Sequence, residues 1–139
     1  MRRLMLFALP LALAACGGSD NSSTGPTLAS VAGTWNLSTV NGAPLPYTIS
    51  NNGGLKTEVL SAVTIVTANG TFNEVQQIRT TFNGQATVTS LPTSGTFSLS
   101  GTLVTLNITG SGTLSGTLTN STTFAVTDPT GAIYVFVKQ

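Results

Sequence analysis

The stretch that decides the fold runs from residue 95 to residue 120, GTFSLSGTLVTLNITGSGTLSGTLTN. Phe97 and Leu99 alternate with Thr96, Ser98 and Ser100, and Val104, Leu106 and Ile108 alternate with Leu103, Thr105 and Asn107. A period of two sends successive side chains to opposite faces, so each run reads as a strand with one apolar face. Ser100-Gly101 and Gly110-Ser111-Gly112 break the runs where antiparallel strands need tight turns. The same pattern holds on either side. Trp35 and Leu37 alternate with Thr34, Asn36 and Ser38, and Phe124 and Val126 with Thr123, Ala125 and Thr127. Beyond residue 28 no segment sustains helical periodicity.

Read this way, strands are expected over about 33–40, 57–67, 71–81, 85–91, 95–100, 102–108, 113–119, 122–128 and 132–138, with one or two of them merging. Asn51 to Gly54 reads as a longer loop, and Pro129-Thr130-Gly131 as the turn before the last strand. Asn69-Gly70 and Asn83-Gly84 suit type I′ turns, whose two central residues both need positive φ. Gly-Thr followed by a large apolar residue recurs at Gly33, Gly70, Gly95, Gly101 and Gly112, at irregular spacing, which favours a meander of hairpins over a solenoid. A meander of this length has two edges to protect, and closing it into a cylinder removes them. The expected fold is all-β, an antiparallel up-and-down β-barrel of about eight strands. A Greek-key β-sandwich is the alternative.

Composition narrows the chemistry. The 139 residues carry a formal net charge of +1, only 6% charged residues, no histidine and one cysteine. A nucleic-acid binder needs a basic face, and none is available. One cysteine cannot form an internal disulfide or a CxxC zinc site. Histidine, the commonest general base, is missing, as is a Gly-x-Ser-x-Gly elbow. No metal site, cofactor or catalytic residue is assigned, and the inventory speaks against an enzyme. A two-carboxylate hydrolase would have to draw on Glu58, Glu74 and Asp128. With a two-residue turn at Asn69-Gly70, Glu74 faces Ile65 and Glu58 faces Thr81, so the glutamates are not cross-strand partners. That register puts Phe72, Glu74, Gln76 and Ile78 on one face with Ser61, Val63 and Ile65. The other face carries Val75 and Arg79 with Leu60, Ala62, Thr64 and Val66. Such a hairpin either puts a polar group or two into an apolar cavity or, on the preferred reading, is irregular with Glu74 and Arg79 both at the solvent.

The N-terminal segment reads MRRLMLFALPLALAAC. Arg2 and Arg3 form a positive start, Leu4 to Leu13 an apolar stretch too short for a comfortable span, and Leu13-Ala14-Ala15-Cys16 closes it. This closing tetrad resembles the lipobox of bacterial lipoproteins. The resemblance implies diacylglyceryl transfer to Cys16, cleavage before it by the lipoprotein signal peptidase, and acylation of the new N-terminus. Several acyl chains on one residue make a stable membrane anchor, since each buried methylene contributes about 0.8 kcal/mol. In enterobacterial lipoproteins an aspartate after the cysteine favours retention in the inner membrane. Gly17 stands there instead, which by the same resemblance implies an outer-membrane location. Cleavage would leave Lys56, Arg79 and Lys138 against Asp20, Glu58, Glu74 and Asp128. The expected organisation is a signal peptide over 1–15, a Gly/Ser/Asn-rich tether over 16–28 that reaches roughly 40 Å when extended, and a β-barrel domain over 29–139.

Val31-Ala32-Gly33-Thr34-Trp35 at the start of the first strand resembles the Gly-x-Trp signature that opens lipocalins and related calycins. The resemblance implies a barrel whose closed end is plugged by Trp35, with Gly33 beside it. Lys138 is the nearest counterpart of the arginine that such proteins often place over the tryptophan, Arg79 lying far upstream. It also implies an interior that binds a small apolar or amphipathic molecule, with Val63, Ile65, Phe72, Phe97, Val104 and Leu106 as its expected lining. The competing expectation is a non-catalytic structural or protein-interaction module of the envelope, using its Thr-, Ser- and Asn-rich outer faces or an exposed strand.

Overall fold

The computed structural model describes residues 25–139. Cys16 and its apolar leader lie outside the described residues. One helical turn, α1 (Leu28–Val31), precedes ten strands: β1 (Gly33–Val40), β2 (Ala43–Pro44), β3 (Tyr47–Asn52), β4 (Leu55–Val66), β5 (Thr71–Phe82), β6 (Gln85–Ser100), β7 (Leu103–Ile108), β8 (Gly112–Asn120), β9 (Thr123–Thr127) and β10 (Ile133–Lys138). The turn of helix was not expected. It is too short to show a period, and a reciprocal cap holds it: the Thr27 hydroxyl accepts from Ser30 N and the Ser30 hydroxyl from Thr27 N.

Every pairing is antiparallel, and β1 pairs with β10 on one side and with β4 on the other, which closes the sheet. The result is the expected eight-stranded up-and-down barrel, in the order β1, β10, β9, β8, β7, β6, β5, β4. The short β2 and β3 lie outside that ring, on β1 and on the first half of β4. The expected strands 85–91 and 95–100 merge into β6. The loop expected over Asn51 to Gly54 is instead a two-residue turn, Gly53-Gly54, both at positive φ, joining Asn52 and Leu55.

One turn resets the barrel's inside and outside. Asn83-Gly84 is the expected tight turn, with both residues at positive φ and Phe82 opposite Gln85. At Asn69-Gly70 only the glycine has positive φ, Gly70 N donates to Thr67 O and Thr67 N to Thr71 O. This is a three-residue loop, a type I turn closed by a left-handed glycine. The Thr67 hydroxyl stabilises it by accepting from Thr71 N at 3.1 Å and bonding the side chains of Asn69 and Thr71. Val66 therefore faces Phe72, Thr64 faces Glu74, and, past a bulge between Val59 and Ser61, Glu58 faces Arg79. A one-residue slip inverts every side chain of a strand. Ala62, Thr64 and Val66 point inward with Phe72, while Val63 and Ile65 lie outside, 37% and 49% exposed.

The core sits where the ring is complete. Phe124 is its hub, with its ring centroid 4.8 Å from Trp35 and 5.9 Å from Phe97, both edge-on, and 4.9 Å from Phe136, stacked. Gly116 lets neighbouring backbones close in: a Cβ there would lie 1.8 Å from Ala125 O. The β4, β5 and β6 strands run on past the barrel, and with β3 they form a four-stranded ribbon beyond one end. In that ribbon residues 85–93 of β6 pair with β5 alone, so their other edge is unpaired among the described residues, and Pro92 lies near its barrel end.

Candidate ligand cavity in the barrel

The two ends of the barrel differ. At the end where β1 begins, Trp35 is fully buried and its indole N–H donates to Val31 O at 2.9 Å. The α1 turn covers this end, with Val31 fully buried. Lys138, near the end of β10, holds its Nζ 5.7 Å from the Trp35 ring centroid and donates to Ser30 O at 2.9 Å. The cation thus packs on an aromatic face while satisfying a carbonyl. Gly33 has φ +140, and a side chain there would meet Lys138 Cε at 2.9 Å. Gly33, Trp35 and Lys138 together form a sealed base.

Toward the other end the interior is hollow. A cavity of about 270 Å³ is walled by Phe72, Leu106, Ile108, Leu114, Phe124, Val126 and Phe136, and carries Thr64, Glu74, Gln76, Thr93, Asp128 and Tyr134 as its polar groups. That is just under the roughly 300–1,000 Å³ common for small-molecule sites, and apolar walls with a few polar groups are their usual make-up. A second hollow of about 330 Å³ adjoins it, lined by Asn41, Tyr47, Ile49 and the 130–132 turn, and shares Asp128 and Tyr134 with the first. Asp128 and Tyr134 thus border both hollows.

The two carboxylates are held differently. Glu74 reaches the interior from β5, and the Thr64 hydroxyl opposite donates to its Oε2 at 2.6 Å. Burial pushes its carboxyl above the usual range, and the single hydrogen bond from Thr64 offsets this only in part. Asp128 closes the turn between β9 and β10. Its Oδ1 accepts from the Thr130 hydroxyl at 2.6 Å, Thr130 N at 2.8 Å and Ala132 N at 2.9 Å, and its Oδ2 from the Tyr134 hydroxyl at 3.3 Å. These donors, the Thr130 hydroxyl foremost, hold the Asp128 carboxyl below its usual range. Tyr134 is pushed up, first by its own burial and then by the charge of Asp128. Asp128 is a braced negative charge bordering both hollows, and Glu74 is a weakly partnered carboxyl inside the first.

Of the lining expected from sequence, Phe72 and Leu106 border the cavity. Phe97 and Val104 are buried in the packed core beside it. Val63 and Ile65 are on the outer wall, for the register reason given above. The preferred solvent placement of Glu74 is also corrected: it faces Thr64, not Ile65, and lines the cavity. Glu58 faces Arg79, not Thr81. On the outer wall it is covered by its two partners, Lys56 Nζ at 2.7 Å and Arg79 Nη2 at 2.8 Å, and Arg79 Nε also donates to it. Hydrogen bonds from Lys56 and then Arg79 hold the Glu58 carboxyl below its usual range.

Sequence reasoning did not assign Asp128, Tyr134, Thr64 or Gln76 to the site. Asp128-Pro129-Thr130-Gly131 carried one signal, because an aspartate two residues before a hydroxyl residue in a Pro/Gly turn braces that turn with its side chain. Among the described residues no group of three acidic, cysteine or histidine side chains is placed to hold a metal ion. No protein-family model and no curated protein matches the chain.

Proposed function

We propose that this protein is a lipid-anchored binding module, held in the outer membrane through acylated Cys16, whose barrel encloses a small, mostly apolar molecule. One observation carries the binding half: an interior sealed at its base by Trp35 and Lys138 yet hollow above it, with apolar walls and a few convergent polar groups. A barrel serving only as a rigid body has no need to leave about 270 Å³ unfilled, because interiors otherwise pack as densely as organic crystals. The anchoring half rests on Leu13-Ala14-Ala15-Cys16 and the preceding apolar stretch.

The test is native mass spectrometry of the full chain extracted from its own membranes in mild detergent. A bound small molecule is expected, and Leu114→Trp, which fills the cavity from β8, should abolish its retention. Absence of any bound mass, together with failure of an apolar fluorescent reporter to bind, would overturn the binding half. The denatured chain should carry a diacylglyceryl mass that Cys16→Ser removes, and an unmodified Cys16 would overturn the anchoring half.

A further inference from the structure

The charges of the barrel are partitioned in a way its composition does not reveal. Among the described residues the basic side chains are Lys56, Arg79 and Lys138. Lys56 and Arg79 are both engaged with Glu58 on the outer wall. Lys138 is fixed at the base against Trp35 and Ser30. None of them lines either hollow, whereas Glu74 and Asp128 both do. Asp128 is engaged by its own turn. Glu74 is not: Thr64 is its sole protein hydrogen-bond partner among the described residues, at Oε2, and Oε1 remains for whatever enters.

We propose that the cavity selects a small arylalkyl amine, its ammonium group on Glu74 and its ring among Phe72, Phe124 and Phe136. This rests on the binding reading above and narrows it to one chemical class. An acidic amphiphile such as a fatty acid would place a third negative group beside Glu74 and Asp128 with no cation to meet it, and like charges in a partly desolvated site repel strongly. A purely apolar molecule satisfies the walls but strips water from Oε1 without replacing the lost hydrogen bond, which costs about 1–3 kcal/mol. An ammonium group supplies both the donor and the opposite charge. A hard metal ion is the remaining cation, but it wants six or more oxygens, and no group of three candidate side chains is present among the described residues. The volume, about 270 Å³, fits one ring on a short chain better than a long acyl tail.

The test is isothermal titration of the full chain with three probes of matched shape: 2-phenylethylamine, 2-phenylethanol and 3-phenylpropionate. The amine is expected to bind at least tenfold more tightly than the alcohol, and the acid not measurably. Glu74→Gln should reduce the amine to the level of the alcohol and leave the alcohol unchanged. As a second variant, Gln76→Lys puts a cation beside Glu74 and should reverse the preference toward the acid. Equal binding of alcohol and amine, tighter binding of the acid, or an amine preference that survives both substitutions overturns the amine assignment while leaving the binding reading intact. Binding of none of the three, with the apolar reporter also excluded, overturns both.

Discussion

Phe124 is the position where the barrel's packing is most concentrated, and its truncation can be worked through. The ring is fully buried and meets Trp35, Phe97 and Phe136 at centroid distances of 4.8, 5.9 and 4.9 Å. Cutting a buried Phe to Ala costs about 3–5 kcal/mol. Part of this ring already borders the hollow, where there are no atoms to lose, so the middle of the range, about 4 kcal/mol, is expected. The described domain spans residues 25–139. At about 2.1 cal/mol/K per residue its unfolding entropy is roughly 0.24 kcal/mol/K, so 4 kcal/mol lowers Tm by about 17 °C. Phe124→Leu keeps most of the volume but loses the ring pairs. At about 0.5 kcal/mol for each of the pairs with Trp35, Phe97 and Phe136, it should lower Tm by about 6 °C. Trp35 is the chain's single tryptophan, so its fluorescence in a thermal melt reads both variants. A drop of less than about 4 °C for Phe124→Ala, or equal drops for the two variants, would refute the reasoning that the aromatic cluster holds the barrel closed.

Gly116→Ala should be at least as damaging, because its Cβ would fall 1.8 Å from Ala125 O and force β8 and β9 apart. A loss of more than about 3 kcal/mol, seen as loss of cooperative unfolding by circular dichroism, is the expected outcome. Lys138→Met keeps the stem over Trp35 but loses the charge and the bond to Ser30 O, for about 1–2 kcal/mol in total, with a matching shift in Trp35 emission. The pH dependence of stability has a worked sign at Glu74. Its carboxyl is raised on folding, so between its ordinary value and the raised one the native state holds a proton that the unfolded chain lacks. The stabilisation associated with that proton is complete below the ordinary value and is lost as pH rises through the window. Glu58 and Asp128 are lowered, so their contributions are lost as pH falls. Melts from pH 4 to 8 should show Glu74→Gln gaining on the parent as pH rises, and a constant difference would contradict the buried placement of Glu74.

The barrel was legible because alternation and turn chemistry agreed along most of the chain. In β7 and β9 the residues expected to face inward, Val104, Leu106, Phe124 and Val126, are buried. The candidate site was legible only in part, and the reason is local. Asn-Gly serves equally as the centre of a two-residue turn, as at Asn83-Gly84, and as the tail of a three-residue one, as at Asn69-Gly70. What separates them is the Thr67–Thr71 bracket, a side-chain detail that a propensity for turns does not register. That one residue moved Val63 and Ile65 out and brought Thr64 in; Glu74 shares the face of Phe72 in either register, and only the expectation of an irregular strand had kept it at the solvent. The β2 and β3 strands were missed for a different reason. β2 is two residues long with Pro44 in it, the alternation of Tyr47 and Ile49 with Thr48 and Ser50 in β3 is short and set between Pro46 and an Asn/Gly run, and those strands sit on the ring rather than in it. Lys138, the nearest candidate in the sequence for a cation near Trp35, does hold its Nζ over that ring.

The ribbon beyond the barrel mouth leaves one strand flank bare over residues 85–93 of β6, with Leu91 45% and Val88 54% exposed there. A naked flank of that length invites copies of the chain to zip together. Pro92 stands at its barrel end with no amide hydrogen to offer an arriving strand. The imino acid works as a stopper at that end: it tolerates the neighbour the fold supplies on one side and keeps an added strand from zipping on toward the barrel on the other.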